Sequence, residues 1–378
     1  MGLHFRKMSL FTETYSHLSV LNAILPCGAC KKKRRSTIPV KVYCLPEGGL
    51  RSKPRPLRPV TVTRMKKTIE APHRRSHLVR QTAAKNPKKA PTKADIALID
   101  ASVQIMEASP TDSDLAFNHR ILCQVGLPRS KVRNGDSFLR RSGDAWVHVQ
   151  PGLLDEGKGR PVQQHVPYGP LPRLALAWMT TYAVRHKTAE IPIGESAAEF
   201  LRLMRKDDQG ARYKTLRTQM HALAACRLQM GFKSRTWNTQ PVEQFDAWNT
   251  DRDSDQRPLW PGTLRLSDSF YNILMESPVP LDNRALEALS GSALALDIYC
   301  WLAHRLHRIE GRPVILHWRS LREQFAQEYT GPQADKNFKD AFVPQFQKVR
   351  MVYPEAKVQH VKGGLLLIPS PPPIPYKG

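Results

Sequence analysis

The stretch Val166-Pro-Tyr-Gly-Pro-Leu-Pro-Arg-Leu174 decides how the chain is read. Two of its prolines fix φ and suit an extended entry followed by the first turn of a helix. The helix then runs to about Lys187, with Leu171, Leu174, Ala175, Trp178 and Tyr182 on one face at the 3.6-residue period. Glu190-Ile-Pro-Ile193 reads as a short strand, and Ser196-Ala-Ala-Glu199 as a capping box opening a helix to about Met204. A third helix covers Arg212 to Arg227, with Leu216, Met220 and Leu223 inward. Apolar residues at Leu228–Phe232 and Val242–Trp248 read as a β-hairpin. Helix, strand, helix, helix, hairpin is the layout of a winged helix, a helix-turn-helix with a β-wing.

The same order recurs downstream. Leu294-Ala-Leu-Asp-Ile298 opens a helix to about Arg308 whose inner face holds Leu294, Ile298, Trp301 and Leu302. Val314-Ile-Leu316 is a short strand. Trp318 to Tyr329 is a helix with Ser320-Leu-Arg-Glu323 in capping-box spacing, and Ala334 to Val349 is the next helix, burying Phe338, Ala341, Phe342 and Val349. Lys357–Val361 and Leu365–Ile368 flank Gly363-Gly364, a hairpin signal. Pro344 costs about 3 kcal/mol inside a helix, so the last helix is expected to kink or stop near Phe342. The fold class expected is α+β, mainly helical, with tandem winged-helix domains at 166–250 and 262–370.

Before them lies a lead-in region, 94–165. Ala94–Ala108 and Leu115–Val125 read as helices, the second capped by Asp114. Phe138–Val149 reads as strands around a Gly143-Asp144 turn, and Pro151–Gln164 as a linker. Residues 1–93 form a basic, proline-rich arm, typified by Lys31-Lys-Lys-Arg-Arg35 and Ser52-Lys-Pro-Arg-Pro-Leu-Arg-Pro59. Such a composition buries too little apolar surface to offset chain entropy, so the arm is expected to be disordered. Met65, just before Lys66-Lys67, is a candidate alternative translation start.

The whole chain of 378 residues carries 58 Lys+Arg against 33 Asp+Glu, a net charge of +25. About 22 of the basic and 3 of the acidic residues fall in the arm, which leaves only about +6 for the rest. A polyanionic partner is implied, nucleic acid before an anionic membrane. Six cysteines, scattered apart from Cys27-Gly-Ala-Cys30, suit reduced thiols in a cytoplasm. Cys44 would give that pair only a third ligand, so free thiols are expected rather than zinc. No run reaches the ~20 apolar residues of a membrane span.

In a helix-turn-helix the second helix enters the major groove. With Leu216 inward, Lys214, Arg217, Thr218 and His221 are expected on the open face of that helix in the first domain. With Phe338 inward, Gln333, Lys336, Asn337, Lys339 and Gln347 take that place in the second. Arg and Lys suit guanine edges and phosphates, and Asn and Gln suit adenine. Arg140, Arg141 and the wing residues Lys233, Arg235, Lys357 and Lys362 are candidate phosphate contacts. His304 and His307 lack a further ligand and read as structural.

The sequence lacks a G-x-x-x-x-G-K-[ST] phosphate loop, a His-apolar-His relaxase pair, Gly-x-Ser-x-Gly and a two-metal acidic cluster. Tyr168, boxed between prolines, reads as packed rather than nucleophilic. No enzyme and no cofactor are expected. The Val166–Leu174 motif resembles the plasmid-encoded RepA family of replication initiators. So do Asn118–Arg129 with its Leu127-Pro-Arg, the helix around Glu199-Phe-Leu, Val352-Tyr-Pro-Glu355 and Leu367-Ile-Pro-Ser-Pro-Pro-Pro. The resemblance spans about Ala94 to Pro373 and leaves out the arm. It implies binding to repeats in a plasmid origin, recruitment of host replication proteins and copy-number control, with no catalytic residues to carry over. Expected partners are double-stranded origin DNA, host replication proteins and a second copy of the chain in a monomer–dimer balance. The alternative reading is a winged-helix transcriptional repressor with no replication role. A nicking or recombining enzyme stands third.

Overall fold

Apolar spacing sets most of the helices, and pairing between distant segments sets the strands. The computed structural model describes residues 90–156, 159–206, 211–245 and 262–375, which lie in one compact unit. The basic arm as far as residue 89, with Cys27, Cys30, Cys44 and Met65, lies outside the described residues. In chain order the lead-in holds α1 (Lys93–Glu107), β1 (Leu115–His119), α2 (Arg120–Gln124), β2 (Phe138–Ser142), β3 (Ala145–Gln150), β4 (Leu153–Asp155) and β5 (Pro161–Gln163). Next come α3 (Pro170–His186), β6 (Glu190–Pro192), α4 (Ala197–Leu203), α5 (Arg212–Ala225), β7 (Arg227–Phe232), β8 (Arg235–Thr239), β9 (Val242–Phe245) and β10 (Thr263–Leu266). The remainder is α6 (Asp268–Glu276), β11 (Pro278–Asp282), α7 (Asn283–Ala288), α8 (Ala293–Arg305), β12 (Val314–His317), α9 (Trp318–Phe325), α10 (Ala334–Val352), β13 (Val358–Val361) and β14 (Gly364–Leu367). The fold is mixed α and β, with helix outweighing strand.

Two units share one topology. In the first, α3, β6, α4 and α5 are followed by β9 and β10, and the sheet order is β6-β10-β9. In the second, α8, β12, α9 and α10 are followed by β13 and β14, and the order is β12-β14-β13. In each, the last strand lies antiparallel between the other two. The strand completing the first sheet, β10, lies beyond residue 250. Each unit is also preceded by a strand running straight into a short helix, β1 into α2 and β11 into α7. The last residue of each strand caps its helix: His119 accepts from the Ile121 N–H and Asp282 from the Arg284 N–H. β1 and β11 pair antiparallel with each other, Leu115 opposite Asp282 and His119 opposite Pro278. The first helices of the two units, α3 and α8, are buried on nearly every side and form the centre of the core.

Several expectations change. Leu115–Val125 is not one helix, because its first five residues pair with β11, and a tertiary partner outweighs local periodicity. Asp114 turns back to cap Thr111, whose N–H it accepts at 2.9 Å. Leu228–Phe232 and Val242–Phe245 do not pair with each other. The first forms the hairpin β7–β8 and joins β2-β3-β7-β8, while the second pairs with β10. Residues 246–261, between β9 and β10, lie outside the described set. The linker Pro151–Gln164 contains the small hairpin β4–β5. Ser320 lies inside α9, which begins at Trp318 after His317, and is not its cap. α10 runs through Pro344 to Val352 without stopping. Pro344 and Asp340 are both exposed, so the carbonyl freed by the missing N–H faces water, while Phe338, Phe342, Phe346 and Val349 anchor both sides.

Several local expectations hold. The strands around Gly143-Asp144 form, Ser196 accepts from the Glu199 N–H at the start of α4, and Leu216, Met220 and Leu223 are buried. At the Lys362-Gly363 turn, Gly363 has φ +88°, which only a residue lacking Cβ adopts without strain.

Candidate nucleic-acid interface

α5 is open over its first two turns only. Arg212, Tyr213, Lys214 and Thr218 are exposed there and Arg217 is half-buried. The hydroxyl of Thr218 donates to the Lys214 carbonyl at 3.0 Å, so its lone pairs are what remain for a partner. From Gln219 onward the helix is enclosed. His221, expected on the open face, is only 3% exposed and sits 3.5 Å from the Glu156 carboxylate and edge-on to Phe245. The helical wheel points it outward, but the β4–β5 hairpin and β9 close over it. Burial draws its pKa down, and the bond to Glu156 works against that. Gln219 reaches the other way: its Oε1 accepts from the Tyr168 N–H at 2.8 Å and ties α5 to the proline-rich motif. Tyr168 is half-buried with its ring against His165.

α10 is open along its whole length. Gln333, Lys336, Asn337 and Gln347 are exposed, and Lys339 is half-buried with Nζ 5.4 Å over the Trp318 ring. Asp340 and Met351 share this face. The sequence reading left Asp340 out, although its place one turn after Lys336 was the signal. A carboxylate there repels phosphate but can accept from the cytosine amino group.

Lys357 and Lys362 are exposed at the start and turn of the β13–β14 hairpin, as a wing contact requires. Lys233 and Arg235 are exposed too, but on the β7–β8 hairpin of the four-stranded sheet and not on the sheet that α5 leans on. The Lys233 N–H donates to the Asp144 carbonyl at 3.0 Å, which sets it at the β2–β3 turn; Arg141, on β2 close to that turn, is exposed too.

Arg140 is not a surface cation. It is 1% exposed, on the inner face of β2, bonded to the Leu127 carbonyl and 3.1 Å from Glu328. Burial lowers its pKa against the pull of Glu328. Arg129 pairs with the same carboxylate. Burial pushes the Glu328 pKa up, and the two guanidinium groups more than reverse that. The chain of charges continues inward through Arg173 of the proline-rich motif. Arg173 meets Asp297 of α8 bidentately at 2.7 and 2.8 Å and also bonds the carbonyls of Leu127, Pro128 and Gly169. Gly126 is close by, where a Cβ would lie 2.5 Å from the Asp297 carboxyl carbon. The two stretches Leu127-Pro-Arg129 and Pro172-Arg173 thus meet at the joint between the units. Among the described residues no three His, Cys, Asp or Glu side chains are grouped to hold a metal. No described helix is long and apolar enough to cross a membrane.

The fold and its two open helix faces define a mixed α/β protein of two like units carrying basic and amide side chains outward. Residues 166–318 match the family model described as plasmid encoded RepA protein, so the resemblance drawn from the proline-rich motif holds over that segment. Among solved structures, one of domains 2 and 3 of RctB is similar at a TM-score of 0.39 and 12% identity, over 65% of this chain and 94% of that one. A selenomethionine form of the same two domains gives 0.42 and 11%, over 66% and 98%. No curated protein matches the chain.

Proposed function

We propose that the chain is a plasmid replication initiator that binds repeated sequences in the plasmid origin, recruits host replication proteins in the cytoplasm and catalyses nothing itself. The observation that carries the reading is the family match over 166–318, which takes in the first unit whole and the second as far as the start of α9. The repeated topology supports two winged helices. In that reading α5 and α10 enter successive major grooves, with β13–β14 as the wing of the second unit. Lys214, Arg217, Thr218, Gln333, Lys336, Asn337, Lys339 and Gln347 then face DNA, and Lys357 and Lys362 hold phosphates. Two grooves on one face imply a site of about 20 bp per protein, two helical turns.

DNase footprinting of the DNA flanking the gene, across a salt series, tests this. Regularly spaced direct repeats, each protected over about 20 bp and weakening with salt, are the expected result. A single inverted-repeat footprint over a promoter would point to a repressor instead. A fragment carrying the repeats should also replicate when supplied with the protein, and failure there would remove the initiator role while leaving DNA binding intact.

A further inference from the structure

α8 ends at Arg305 and a 3-10 turn carries the chain on to Arg308, and the basic residues His304, Arg305 and Arg308 of this stretch do not turn simply to solvent. With the β2–β3 turn, β12 and α9 they line a cleft of about 920 Å³, the size of a small-ligand site. We propose that this cleft binds nucleotide phosphates, at a site separate from the open faces of α5 and α10.

The first ground is uncompensated polarity. Buried polar atoms are nearly always hydrogen-bonded. Yet the Nε2 of His304, a residue 94% buried at a 6% exposure, and the Nε of half-buried Arg305 have no partner, and both residues line the cleft. The second is unpaired charge. Arg129, Arg140, Arg173, Arg265, Arg284, Arg319 and Arg322 each meet a carboxylate within 4.0 Å. Among the described residues Arg141, Arg305 and Arg308, which line the cleft, meet none; exposed arginines elsewhere, such as Arg227, Arg235 and Arg350, also lack one, but Arg305 does so while half-buried. A half-buried guanidinium without a counter-ion costs free energy unless an anion arrives to meet it.

The surroundings of His304 agree. Burial pulls its pKa down to about 3, and every charge acting on it is positive: Arg308, His307, Arg120 and Arg305. The imidazole is therefore neutral at pH 7 and offers a hydrogen bond rather than a charge. The carboxylates lining the cleft, Asp144, Glu310 and Glu323, all stand at exposed positions, and Glu323 is bonded to Arg319. Basic residues in a last helical turn are commonly explained by the helix dipole. That account does not require a cavity or leave a buried nitrogen unpaired. Guanidinium groups match phosphate oxygens bidentately, and Phe232, beneath Arg120 at 5.7 Å, gives the cleft an apolar wall for a base. A recess of this volume suits a mononucleotide or a short single strand, not a duplex.

The test uses the full chain with two probes, a fluorescently labelled hexathymidine and ATP without metal, followed by anisotropy and calorimetry. At least one should bind with a Kd below 1 mM. Joint Arg305→Gln and Arg308→Gln substitution should weaken it at least tenfold and change duplex binding by less than twofold. Lys214→Ala should do the reverse, so loss of the duplex-reading proposal would leave this one standing. Arg141 and Arg308 are exposed, so Arg141→Gln and Arg308→Gln singly keep the test valid if the Arg305 variant fails to fold, each expected to cost about threefold. ATP binding identifies a small-molecule ligand and binding of the strand alone a single-stranded nucleic acid. Either result supports the site. Binding of neither probe, or binding that the arginine variants leave unchanged, overturns it.

Discussion

The two units use one topology and expose it differently. In the first, α5 is closed from Gln219 onward by the β4–β5 hairpin and β9, and what remains open is Arg212 to Thr218. That face carries cations and no carboxylate. In the second, nothing described covers the outer side of α10, and Gln333, Lys336, Asn337, Asp340 and Gln347 are open over four turns. Amides and a carboxylate read base edges, whereas an acid-free basic patch suits phosphate. On the proposed reading, the difference teaches that a repeated fold need not repeat its role: the first unit would hold DNA and the second discriminate its sequence.

The comparison assumes that the units are held as one body, and the largest expected effect tests that. Asp297→Ala leaves Arg173 buried against carbonyls with no counter-charge. Breaking a buried pair in this way costs about 3–5 kcal/mol. Urea unfolding should show that loss, and two separate transitions in the variant would show that the Arg173–Asp297 pair is what joins the halves. A value below 1 kcal/mol would instead place the joint in the apolar contact between α3 and α8.

A second test sets the two halves against each other through pH. His119 ends the strand that precedes the first unit and His304 lies in α8 of the second, and burial lowers each to about 3. The unfolded chain takes up a proton near pH 6.5 while the folded one does not. Stability from each is therefore full above pH 6.5 and declines as pH falls toward 3. The slope is about 1.4 kcal/mol per pH unit for each histidine, or about 2.7 kcal/mol between pH 6.5 and 4.5. His304→Gln should remove one such slope from the unfolding profile. Phosphate bound to Arg305 and Arg308 should make the wild-type loss at His304 smaller, since a nearby anion favours the protonated ring.

How far all this was legible in the sequence depends on where each signal resides. The periodicity of α3, α5, α8 and α10 and the Gly363 turn are local, and the residues alone announce them. β1 was hidden because Leu115–His119 looks helical until β11 supplies its partner, Leu115 pairing with Asp282 167 positions further on. The first unit's hairpin was misdrawn for the same reason, as β7 found β3 as well as β8. Among the site residues, Lys214, Lys336, Asn337 and Gln347 follow from the helical wheel. His221 and Arg140 do not, since what covers them comes from β4–β5 and from Glu328. No pattern in the chain signals that Arg129 and Arg173 converge, beyond their both following a proline.

The smallest effects bear most directly on the contrast between the two faces. Asn337→Ala removes a side chain that can bond adenine bidentately. It should cost about 1–3 kcal/mol on the cognate repeat, and relax preference at one base position. Lys214→Ala removes a phosphate contact. Binding should weaken by a similar factor on every sequence, and the slope of log K against log salt should fall by about one. Competition binding against a library of single-base variants, at three salt concentrations, measures both at once. Holding and discriminating are distinct roles only if the two variants behave in these two different ways. If Lys214→Ala changed base preference instead, α5 would be reading sequence over its two open turns. The β4–β5 hairpin over His221 would then serve to set how deep that short helix reaches into the groove.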